Sequence, residues 1–161
     1  MADLLSKISS YNLFNYLFTG VLFVILAENF TAYTFQQENA VLGFFLYYFI
    51  GLTISRLGSL IIEPILKKTS FLKFADYKDF VAASKVDPQI NIFSEVNNMY
   101  RTISMVMLGV ILLRSYESIR TNVMWLLQNE ITLLLLALFI MFILAYRKQT
   151  AYITKRVNCN K

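Results

Sequence analysis

Apolar residues fall into four long runs separated by polar intervals of unequal length. From Ile8 to Ala27 no residue is charged, about the 20 residues a helix needs to cross a bilayer core. This run exceeds the apolar segment of a secretory signal and no small-residue cleavage site follows, so it reads as a retained first transmembrane helix, 9–28. A second uncharged run, Ala40 to Ser55, reaches Arg56 and continues through "LGSLII". Helix two is expected over 40–63, with Pro64 and the pair Lys67–Lys68 marking its end. The third run is shorter, because Thr102 to Leu113 gives only about a dozen uncharged residues, too few to span alone. Arg101 and Arg114 flank it with stems long enough to snorkel, so helix three is expected over 90–119 and begins outside the membrane. The fourth, 122–147, is strongly apolar up to Tyr146 apart from Gln128, Asn129 and Glu130.

The interval 64–89 is of another kind. It carries "KKTSFLKFADYKDF", lysines interleaved with aromatics. Phe74, Tyr77, Lys78 and Val81 recur at the spacing of one helical face, which predicts a short amphipathic helix from Lys73 to Ser84 near the membrane surface. Asp87–Pro88 is a turn signal that ends it. The expected fold class is therefore an all-α membrane protein. It is a single four-helix transmembrane domain with a short amphipathic cytoplasmic helix between helices two and three.

Composition agrees with this pattern. The chain is 57% hydrophobic and 16% charged, against about 45–50% and 25% for a soluble domain. It has no histidine, a single cysteine and five scattered glycines. Those absences remove histidine general bases, histidine-containing zinc sites, an internal disulfide framework and a phosphate-binding glycine loop. No enzyme activity, cofactor or metal is expected.

The net charge of +5 is unevenly placed. With four spans both termini share one side. That side holds Lys7, the basic residues of the 67–101 interval and the tail from Arg147 to Lys161, whereas the other holds mainly Arg114 and Arg120. The positive-inside rule makes the basic side cytoplasmic, in a bacterial inner membrane.

Charges within the spans need partners. Glu130 has Arg114 and Arg120 within reach across a hairpin. An ion pair near the outer interface, a pore-facing ring in an oligomer and an interface anchor are all open. Arg56 and Glu63 are seven residues apart, two turns along one helical face. They either pair and snorkel or form a charged ring at a cytoplasmic mouth. Gly51, Ser55 and Ser59, with Gly58 beside them, form a small-residue stripe that permits a close helix contact, within one chain or between chains.

For the basic aromatic interval, one reading is adhesion to membrane lipid, with lysines on anionic headgroups and rings in the interface. The other is an anionic ligand with bases, held by charge and stacking together. Its candidate residues are Lys67, Lys68, Lys73, Phe74, Tyr77 and Lys78, joined by Tyr152, Lys155 and Arg156 from the tail.

The stretches "FADYKDFVAASKVDPQINIFSEVNNMYRTISMVMLGVILL", "YNLFNYLFTGVLFVIL" and "LYYFIGLTISRLGSLIIEPILKK" together resemble the small four-helix membrane effectors of bacterial anti-phage defence islands that are paired with a nucleotidyltransferase. Of these, the Hailong channel effectors are the most similar. The resemblance covers nearly the whole chain in layout and carries no single site residue across. It implies an oligomeric channel, a cytoplasmic nucleotide or short oligonucleotide ligand made by the partner enzyme, and membrane depolarisation on opening. The expected function is accordingly a homo-oligomeric channel effector, most simply a tetramer, gated at its basic mouth. The alternative is a non-conducting membrane sensor or anchor that recruits a cytoplasmic partner.

Overall fold

In a computed structural model of the chain, residues 2–159 are described, with side chains from Tyr11 onward. Lys7 and Lys161, counted above on the basic side, lie outside the described side chains. Six α-helical segments follow one another: α1 (Ala2–Phe30), α2 (Ala40–Leu57), α3 (Glu63–Lys68), α4 (Tyr77–Val86), α5 (Gln89–Arg120) and α6 (Met124–Asn158). A π-helical turn, Gly58–Ile62, joins α2 to α3 without a break. Among the described residues there is no strand. Four helical stretches are long and apolar enough to cross a membrane: Tyr11–Phe30, Ala40–Lys68, Gln89–Arg120 and Met124–Asn158.

Two differences from the sequence expectation bear on the basic end. The helix of α6 does not stop near residue 147 but runs 35 residues. At about 1.5 Å per residue that is roughly 52 Å, well beyond the ~30 Å bilayer core, so the basic tail is a helical overhang. The amphipathic helix starts at Tyr77, four residues after Lys73. Ser70 takes a left-handed φ of 58° and Asp76 is extended at ψ 141°, which leaves Lys73 and Phe74 on an irregular connector. Once formed, α4 seals Val81, 2% exposed, against the bundle and packs on α5.

The packing centre is α2. Its start is fixed by Asn39, whose side chain accepts from the N–H groups of Val41 (2.9 Å) and Leu42 (3.2 Å), satisfying two otherwise orphan donors. A Cβ on Gly51 would lie 1.8 Å from the carbonyl oxygen of Tyr16, and one on Gly20 1.7 Å from that of Tyr47. The α1 and α2 backbones therefore touch, a closeness only glycine permits. One turn on from Gly51, Ser55 accepts a long bond from Thr102 of α5 (3.4 Å), and further along Gly58 faces Arg101 and Met105. The small-residue stripe thus serves contacts inside one chain. Ile54, Met105 and Val106 form the core, flanked by Leu22, Phe23, Leu26, Ile50 and Leu57.

The fourth span is different. Met141 is its one buried residue among those described, and Phe142 stacks on Phe49 at 6.0 Å. Leu134, Leu135, Phe139, Ile140 and Ile143 are all more than half exposed. An apolar flank of that size is untenable in water and suits lipid or a neighbouring protein surface.

Candidate functional site

The π turn creates the site. In it the N–H of Glu63 bonds the carbonyl of Gly58, five residues back, and Pro64 follows at once. The widened turn means that seven residues no longer make two α-turns, so the expectation that Arg56 and Glu63 share a face is corrected. Glu63 is turned into the bundle and is 7% exposed. Arg56 makes no ion pair among the described residues.

A carboxylate taken out of water must be compensated or it neutralises. Here it is surrounded by cations. The Arg101 Nη1 donates to Glu63 Oε2 at 2.8 Å. Lys67 Nζ donates to Oε1 at 3.1 Å, Lys148 Nζ lies 3.3 Å from the same oxygen, and the Tyr152 hydroxyl donates to it at 3.5 Å. Lys148 Nζ also donates to the Ser59 carbonyl at 2.6 Å. One acid therefore ties α3, α5 and α6 together while three cations converge on it.

Rings line the same place. Lys67 Nζ lies 4.1 Å from the centroid of Phe74 and Lys148 Nζ 5.8 Å from that of Tyr152, both within cation–π range. Tyr77 stands between Tyr152 at 6.4 Å and Phe80 at 6.5 Å, so α4 is held to α6 through aromatic contact. Near the start of α1, the Tyr11 hydroxyl donates to the Glu95 carbonyl of α5. A cavity beside the cluster, lined by Arg56, Ser59, Lys148, Gln149 and Tyr152 among others, measures only about 20 Å³, one water at most. A larger ligand has to meet these groups from the open surface or displace Glu63.

Of the residues picked from sequence, Lys67, Phe74, Tyr77 and Glu63 come together here, and Arg56 borders the cavity. Lys68, Lys73, Lys78, Lys155 and Arg156 are all exposed and lie around the cluster on α3, the connector, α4 and the end of α6. Sequence reasoning named Tyr152 with the tail and missed Arg101, Lys148 and Ser59 as members of the cluster. A signal existed for Lys148: it stands four residues before Tyr152, one turn of helix, just past the expected end of helix four at 147.

The opposite end carries a second charge cluster. Arg120 Nη1 bonds Glu130 Oε2 at 3.2 Å, and the Arg120 guanidinium carbon lies 4.7 Å from the ring centroid of Tyr33. Burial raises the Tyr33 phenol above its ordinary pKa, with the Arg120 charge opposing. Of the two arginines within reach of Glu130, Arg120 makes the pair across the hairpin. Arg114 instead borders a surface hollow with Asn29, Phe30, Thr31, Glu117 and Ser118. Compared with known proteins, the chain matches no family model, no curated protein and no solved structure, so its function rests on its own residues.

Proposed function

We propose that the protein is an oligomeric membrane channel effector whose basic end binds a phosphate-bearing ligand, a nucleotide or short single-stranded oligonucleotide, and that this binding gates ion flow. The observation carrying the reading is the convergence of Lys67, Arg101 and Lys148 on one buried carboxylate beside the rings of Phe74, Tyr77 and Tyr152. Phosphates answer to the surplus positive charge and bases to the rings. Lys68, Lys73, Lys78, Lys155 and Arg156 extend the field outward. The concentration of basic residues supports a cytoplasmic placement of this end, where a partner nucleotidyltransferase would supply the ligand. The apolar flank of α6 supports assembly. In a symmetric ring, most simply a tetramer, one modest cluster is repeated around an axis. Glu63 is then the internal counter-ion of the unliganded state. Ligand phosphates compete with it for Arg101 and Lys148, and because Glu63 follows the π turn of the α2–α3 rod, its release reshapes a membrane-spanning segment. Opening depolarises the bacterial inner membrane.

The test is binding of a short single-stranded DNA to the protein in nanodiscs, read by fluorescence anisotropy across salt concentrations. Affinity should fall steeply with salt. The Arg101→Gln, Lys148→Gln double variant should bind more weakly, with its salt slope shallower by about 0.7 per lost phosphate contact. Size-exclusion chromatography confirms assembly of the variant. No binding by the unmutated protein, to DNA or to cyclic nucleotides, overturns the ligand. Binding without any current would make the protein a non-conducting sensor.

A further inference from the structure

At the end of the bundle remote from Glu63, α1 and α5 leave two surface features side by side. The first is an apolar groove of about 240 Å³ formed by Leu26, Phe30, Met107, Val110 and Ile111. The second is the open polar hollow of about 450 Å³ lined by Asn29, Thr31, Glu117 and Ser118. Arg114 borders both, so groove and hollow meet at its side chain.

The polar groups of the hollow are unequally committed. Asn29 Nδ2 donates to the Ile25 carbonyl and Thr31 Oγ1 to the Ala27 carbonyl, each at 2.7 Å. Glu117 Oε1 accepts from the Ala32 N–H at 2.9 Å. No described residue bonds Glu117 Oε2, and Arg114 makes no ion pair among the described residues. What remains is one free guanidinium and one free carboxylate oxygen, a single helical turn apart. They stand where two membrane-length helices reach their ends, beside the apolar groove.

We propose that this is a binding site for a phospholipid with a primary-amine zwitterionic headgroup, of the phosphatidylethanolamine class. Arg114 takes the phosphodiester, for which its planar fork of donors is suited. The lipid ammonium donates to Glu117 Oε2, and one acyl chain lies along Leu26, Met107 and Ile111. Charge complementarity selects this headgroup. A purely anionic lipid sets its charge against Glu117, and a quaternary choline has no N–H for that oxygen. The site is separate from the basic end and does not depend on what binds there.

The experiment is reconstitution of the full chain in nanodiscs with equal fractions of phosphatidylethanolamine, phosphatidylglycerol and phosphatidylcholine, followed by native mass spectrometry of the lipid retained. Phosphatidylethanolamine should be enriched about fivefold, the worth of one exposed ion pair. Glu117→Gln, which keeps an acceptor for Ala32, should abolish that preference while phospholipid stays bound. Arg114→Gln should lose retained phospholipid. Ile111→Trp, filling the groove at a solvent-exposed position and leaving both headgroup residues intact, should lose it too. Equal or greater retention of either other lipid overturns the headgroup assignment, and no retained lipid overturns the site. A photo-crosslinker at Ile111 should label lipid. If it joins two copies of the chain instead, the groove is a protein interface and the proposal fails.

Discussion

The two ends of the bundle each hold a buried or half-buried acid, but its company differs. At the basic end Glu63 is nearly sealed and meets Lys67, Arg101 and Lys148. At the hairpin end Glu130 is only partly buried, its side chain 39% exposed, and among the described residues it meets Arg120 alone. One acid to one base at a surface is a clamp, contributing about 1 kcal/mol or less. One buried acid to three bases is costly to assemble and leaves positive charge uncancelled, so the arrangement makes more sense as a place for a further anion than as a staple. The helices follow the same division. The hairpin end is closed by a short turn, whereas the basic end has the π turn, a left-handed Ser70, an irregular connector and an overhanging α6.

The sharpest way to break this contrast is to remove each acid. Glu63→Ala leaves the partly buried Arg101 guanidinium and Lys148 without their counter-ion, and should cost about 3 kcal/mol. Glu130→Ala should cost about 1 kcal/mol or less. Denaturant unfolding in detergent micelles measures both, and equal costs would erase the distinction between hub and clamp.

Neutralising without truncating separates stability from binding. Glu63→Gln keeps an acceptor for Arg101 but removes the charge that competes with a ligand, so the protein should bind short single-stranded DNA about tenfold more tightly, a change of about 1.4 kcal/mol. Glu130→Gln should leave that affinity unchanged. Weaker binding by Glu63→Gln would mean that the carboxylate positions the cations rather than occupying their place.

How much of this was legible in the sequence follows from distance along the chain. The four spans are legible because each centres on an uncharged or nearly uncharged run, the third of them short and extended by snorkelling arginines. The Arg120–Glu130 pair is ten residues apart across one hairpin, so adjacency was enough to shortlist it, though not to choose Arg120 over Arg114. The Glu63 cluster was only half visible. Lys67 is one turn away, but Arg101 is 38 residues off and Tyr152 is 89, and nothing in local periodicity brings α5 and α6 to α3. The π turn was invisible for the same reason. It is set by Pro64 and by how Gly58 packs on Arg101 and Met105, not by composition. The start of α4 was misplaced because Phe74 fits the helical face of Tyr77 and Val81 by spacing, while the turn at Ser70 keeps the connector extended.

The smallest effect comes from the most exposed member of the cluster. Lys67 has a side chain 43% exposed and pairs with Glu63 one turn away, so Lys67→Gln should cost only about 0.3–0.5 kcal/mol in unfolding. Its effect should appear instead in the salt dependence of DNA binding, with a slope shallower by about 0.7. A large loss of stability would show that this lysine belongs to the scaffold, and that the surplus of charge is smaller than the geometry implies.

The most direct measurement of the central claim is the current through a planar bilayer holding the oriented protein, with short single-stranded DNA added to one side at a time. Addition on the side of Glu63, Arg101 and Lys148 should change the current, and the same addition on the side of Arg120 and Glu130 should not. An absence of current under every condition, or an equal response from both sides, would contradict a ligand gate at the basic end.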